Sequence, residues 1–136
     1  MLIQGARTLP TDPDQLNAAI EQVLDDFDER AGGVVALVVL MKTGIPVCTR
    51  VKANVDPTFL AAGLAALLNV AVELSSKLFT LTPARLILDT ETGSLILRGI
   101  NADTVLVAIF KKQHLGAMML LVEQAANHLA QLLPSS

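Results

Sequence analysis

One cysteine, two histidines and several carboxylate clusters are the side chains best suited here to catalysis or metal binding. Cys48 stands two residues from Arg50, and alternate residues of a strand share a face. A guanidinium so placed would lower a thiol pKa and favour a nucleophile. The plainer alternative is a small, half-buried side chain. His114 falls in a polar link and His128 on the final helix. Without HExxH or CxxC, a metal would have to rely on scattered carboxylates. Asp25, Asp26, Asp28 and Glu29 crowd the end of a helix, and Asp89 with Glu91 flanks a turn. Both groups read as solvated, although the first could also meet a basic partner. Phosphate-binding GxxxxGK[ST] and GxGxxG patterns are missing, and Gly32-Gly33 follows a helix, the wrong side for cradling phosphate. The expectation is a protein that is not an enzyme and has no catalytic, cofactor or metal site.

Composition narrows the alternatives. The 136 residues carry a net charge of −3, with 52% hydrophobic and only 3% aromatic residues. A core of Leu, Val, Ile and Ala follows, with too little polar residue to cover a monomer comfortably, which favours association. The charge and the scarcity of stacking aromatics argue against nucleic acid. A lone Cys48 fits a reducing cytoplasm, and the first residues lack the pattern of a signal peptide.

The elements that would position these groups are legible from periodicity and turn residues. Residues 1–11 read as a flexible N-terminus and 12–134 as one domain. Asp12-Pro13 opens a helix whose Leu16, Ala19, Ile20, Val23, Leu24 and Phe27 recur at helical spacing, ended by Gly32-Gly33. Val34 to Met41 is a buried strand, and Lys42 to Pro46 turns into a hairpin mate, 47–52. There Val47, Thr49 and Val51 point one way, and Cys48, Arg50 and Lys52 the other. Thr82-Pro83 breaks the next helix. Strands follow at 84–89, 94–100 and 104–110, then a helix from Leu115 to about Leu133, closed by Pro134. The order is α-β-β-α-β-β-β-α, with short turns that force antiparallel pairs.

The second helix dominates the chain. Asp56-Pro57 starts it, and Pro57 to Val72 carries no charge. Leu60, Leu64, Leu67, Ala71, Leu74 and Leu78 form one apolar stripe, read as the face toward the sheet. Phe59, Gly63, Ala66 and Val70 form a second. Either the helix is buried all round within its own domain, or it covers its sheet on one side and meets another protein on the other. A membrane span is disfavoured because the uncharged run is shorter than the ~20 residues required. In the strand Arg85-Leu86-Ile87-Leu88-Asp89, opposite charges flank an apolar centre. An antiparallel copy would set Arg85 against Asp89.

Three stretches carry a family resemblance: VVALVVLMKTGIPVCTRV (34–51), FLAAGLAALLNVAVEL (59–74) and LILRGINADTVLVAIFKKQHLG (95–116). In order and spacing the chain resembles the roadblock family, found as dynein light chains, Ragulator subunits and prokaryotic partners of Ras-like GTPases. Lys42 stands where that turn often begins with an acidic residue. The resemblance implies an α+β fold, a five-stranded antiparallel sheet with the 57–79 helix on one face and both terminal helices on the other. It implies a homodimer, or a heterodimer with a paralogue, with Arg85, Ile87 and Asp89 at a strand seam forming a ten-stranded sheet. Phe59, Gly63, Ala66 and Val70 would then form the helix seam. Asn69, Glu73 and Lys77 would face a Ras-like small GTPase, making the protein a non-enzymatic regulator or scaffold. The alternative is a structural adaptor subunit indifferent to nucleotide.

Overall fold

A computed structural model describes residues 12–52, 54–79 and 85–133. The elements run α1 (Pro13–Ala31), β1 (Val34–Met41), β2 (Pro46–Val51), α2 (Pro57–Phe79), β3 (Arg85–Asp89), β4 (Gly93–Gly99), β5 (Thr104–Lys111) and α3 (Leu115–Leu132). This is the expected order. The flexible start, the Thr82-Pro83 break and the Pro134 stop fall outside the described residues.

Local chemistry explains the boundaries. Asp12 caps α1 by accepting from the Asp14 N–H at 3.1 Å, and Asp56 does the same for Thr58 at 3.0 Å at the head of α2. Each cap satisfies an N–H that has no partner within its helix. Gly32 ends α1 with φ 63°, a left-handed conformation that suits glycine. Asn101 turns β4 into β5, its Oδ1 accepting from the Asp103 and Thr104 N–H groups at 2.8 and 2.9 Å.

The sheet has five antiparallel strands in the order β2-β1-β5-β4-β3. Buried β1 and β5 occupy its middle, which accounts for their unbroken apolar sequences. On one face Ile20, Leu24 and Phe27 of α1 and Met118, Val122 and Leu129 of α3 pack with Leu37, Val39, Leu106 and Phe110. On the other, Ala61, Leu64 and Leu68 of α2 meet Val38, Leu40, Leu97, Val105 and Val107. Since β2 and β3 are opposite edges, the chain between them must cross the sheet, and α2 makes most of that crossing. At 23 residues it is about 34 Å long, against about 19 Å for the sheet's width.

Two expectations need correction. The face of α2 toward the sheet is Ala61, Leu64, Ala65 and Leu68, while Leu74 and Leu78 of the expected inner stripe are exposed. The small Ala61 and Ala65 let the helix lie close to the strands, turning it by about a quarter of a revolution from a leucine-centred placement. Nor are the acids of α1 simply solvated. Asp25 and Glu21 hold Arg50, and Asp28 holds Lys52. These contacts put Cys48, Arg50 and Lys52 on the α1 side of β2, as alternation predicts.

Candidate functional site

Of the two readings of Cys48, the structure favours the small, half-buried side chain over the nucleophile. The Cys48 thiol faces Glu21, with Sγ 3.5 Å from Oε1. Burial, and then the Glu21 charge, push its pKa up to about 11 against the smaller opposing pull of Arg50. The guanidinium is held by Glu21 and Asp25, so the thiol stays protonated and unreactive. His114 caps α3, its Nδ1 accepting from the Ala117 N–H at 3.1 Å. His128 lines a cleft of about 90 Å³ between α1 and α3, walled by Phe27 and Leu121. Among the described residues, no three His, Cys, Asp or Glu side chains group to hold a metal.

What the fold does assemble is apolar surface. Phe59, Gly63, Ala66 and Val70 all lie exposed on the face of α2 turned from the sheet, Phe59 at 73%. Leu74 extends that face, and Leu78 and Phe79, each 68% exposed, lie beyond the last residue of α2 buried on the sheet. Asn69, Glu73 and Lys77 are exposed at four-residue intervals along its border, and Lys77 pairs with Glu73 at 3.1 Å. By length and composition α2 is apolar enough to cross a membrane, with a mean hydropathy of 1.7. The shorter uncharged run is therefore no reason against a span. The seating of Leu64 and Leu68 on the sheet is the better one.

Strand β3 is the second component, an edge paired to β4 alone. Leu86 packs with the cluster under α2, whereas Ile87 packs with that under α1 and α3. Leu88 is 53% exposed. It borders an apolar depression of about 340 Å³ with Val35, Leu95 and Ile109, lined by no residue of α2. Arg85 and Asp89 already have partners within the chain. Arg85 reaches Glu123 on α3 at 3.1 Å. Asp89 takes Lys112 at 2.8 Å and the Ser94 hydroxyl. Lys112, and then Ser94, hold the Asp89 carboxyl below its ordinary value.

The sequence reading missed Leu74, Leu78, Phe79 and Leu88 as surface. Leu74 and Leu78 carried a signal, since a helix apolar on every side must expose some of it. Leu120 on α3, also exposed, gave none, because the α3 pattern matches an ordinary inner face.

A family model for the Roadblock/LC7 domain matches residues 19–110. No curated protein matches the chain. Among solved structures it is similar to the gliding protein MglB of Thermus thermophilus, at 18% identity and a TM-score of 0.77, covering 96% of this chain and 97% of that one. Myxococcus xanthus MglB matches at 20% identity and TM-score 0.73, covering 87% and 94%. A Roadblock/LC7 domain from Streptomyces avermitilis matches at 11% identity and TM-score 0.70, covering 79% and 92%. At such identities the likeness concerns the fold.

Proposed function

The chain belongs to the Roadblock/LC7 family, and from that premise we propose that it is a non-enzymatic, cytoplasmic regulator or scaffold that pairs with a second copy and binds a Ras-like small GTPase. Membership supports the coarser reading, a regulator or adaptor rather than an enzyme. The observation that carries the finer one is the exposed apolar face of α2 above a sheet whose β3 edge pairs, among the described residues, with β4 alone. So much apolar helix surface is characteristic of an interface. Pairing through β3, centred on Ile87, would extend the sheet and leave Arg85 and Asp89 to exchange partners across the seam. Phe59, Gly63, Ala66 and Val70 would then meet their counterparts. Asn69, Glu73 and Lys77 are the polar border from which the GTPase is read.

Two measurements test this. Val70→Asp puts an unpaired charge into the helix seam, where burial is costly, and should weaken the dimer about 100-fold or more. Light scattering at micromolar concentration should then give half the wild-type mass. An unchanged mass would place the seam elsewhere. Pull-downs with small GTPases from the source organism, loaded with GTP or GDP, should retain one nucleotide state preferentially. Retention of none would remove the GTPase role, and equal retention would favour the nucleotide-indifferent adaptor.

A further inference from the structure

On the side away from α2, a cleft of about 260 Å³ opens between α3 and the β3–β4 hairpin. Ile96 and Val122 lie among its apolar lining, with Met119 and Leu120 contributed by α3. Leu120 is 60% exposed and adjoins this apolar lining. The charged lining is lopsided: Arg85 and Arg98 share the single carboxylate of Glu123. Arg98 is fully engaged, with Nε and Nη2 on Glu123 and Nη1 on the Gly99 carbonyl. Arg85 uses Nη2 for Glu123, and among the described residues its Nη1 and Nε have no acceptor.

We propose that this cleft is a second docking site, taking an acidic, apolar segment of a partner protein with its aliphatic or aromatic side chain against Met119 and Leu120 and a carboxylate on Arg85. The choice of occupant follows from charge. Two guanidiniums around one carboxylate leave a net positive rim, which attracts an acidic segment and repels a basic one. Arg85 supplies the specific contact because a guanidinium can serve two carboxylates through different nitrogens. In the dimer proposed above, both clefts lie on the face opposite α2, so a GTPase and an acidic segment occupy different sides. The dimer reading sets that placement and limits the contact as well: Arg85 serves the segment only while it stays on Glu123 and is not drawn into the β3 seam.

Fluorescence polarisation of the full chain with labelled peptides tests the site. The acidic, apolar peptide EDLLEFLDE should bind saturably, and the basic KKLLKFLKK and apolar-depleted EDSSESSDE at least about tenfold more weakly. Binding should weaken as salt screens the rim. Leu120→Glu, at an exposed position clear of the β3 seam, should weaken it about tenfold or more while the light-scattering mass stays unchanged. Val70→Asp, on the other face, should leave it unaltered, so failure of the α2 surface and failure of the cleft register separately. Absence of saturation by about 1 mM overturns the proposal, as does equal binding of the basic peptide or indifference to Leu120→Glu. A fall in mass with Leu120→Glu would overturn it too, by assigning the cleft to a second copy.

Discussion

The two edges of the sheet are built from similar materials to opposite ends. Edge β2 begins at Pro46, which has no N–H to donate, and its pairing with β1 shifts register between Val39 and Leu40. Its Arg50 and Lys52 are tied down onto the acids of α1. Proline, irregular register and charge are all devices that discourage another strand from adding. Edge β3 has no proline, runs in unbroken register from Arg85 opposite Arg98 to Asp89 opposite Ser94, and has an apolar centre. Helix α2 repeats the contrast along its length. Its fully buried residues end at Leu68, and Leu74, Leu78 and Phe79 beyond them are exposed. What discourages addition at an edge is thus its proline, its irregular register and its charge placement, not its apolar content. Proline and a register shift stand at β2 and neither at β3.

The largest effect should come from α2, where the contrast is one of burial. Leu64→Ala removes a buried leucine and should cost about 2–5 kcal/mol in urea unfolding. Leu74→Ala should cost less than about 1 kcal/mol in a chain kept monomeric by Val70→Asp. Equal losses would mean that the helix lies on its leucine stripe after all. Next come the edges themselves. Leu88→Lys should weaken self-association about 30-fold or more, and Thr49→Lys on β2 less than about threefold, by analytical ultracentrifugation. Equal sensitivity would erase the distinction between the edges. Smaller still, Arg50→Ala should cost about 1 kcal/mol, the usual scale for a partly exposed ion pair. It should also speed amide exchange along β2 while leaving β3 unchanged.

Much of this was readable beforehand, because the strands are apolar runs bounded by turn residues and the helix starts carry caps. The resemblance in 34–51, 59–74 and 95–116 also pointed to the family that the match over 19–110 shows. The rotation of α2 was not readable, for a physical reason. Periodicity orients a helix only when one face is polar, and from Pro57 to Val72 polarity is nearly absent. Ala61 and Ala65 win the inner face through close approach, an energy that hydrophobicity alone does not rank. The fate of the α1 acids was hidden differently: Asp25 and Arg50 meet only once β2 folds against α1. The same holds for Glu123 of α3, whose role depends on Arg85 of β3 and Arg98 of β4.

That last group yields the smallest and most specific effect. The Glu123 carboxyl is held below its ordinary value chiefly by its hydrogen bonds from Arg98, with Arg85 adding to the pull. Asp89 is lowered by Lys112 and Ser94. A carboxyl whose folded pKa is depressed contributes stability above its unfolded pKa and loses it as pH falls through the folded one. Both groups therefore anchor β3 at neutral pH and release it in acid, below the ordinary carboxylate range. Both are substantially exposed, so water and salt reduce the effect. The clean measure is a difference: the gap in urea midpoint between wild type and Glu123→Gln should be present near pH 7 and shrink toward about pH 3. A gap that stays constant would mean that Glu123 acts through packing rather than charge. A gap that closes would show that Glu123 holds Arg98 and Arg85 through charge within the chain. Any exchange of Arg85 and Asp89 across a seam must then displace Glu123 and Lys112, so apolar contact at Ile87 and Leu88, more than the charges, would have to drive the pairing.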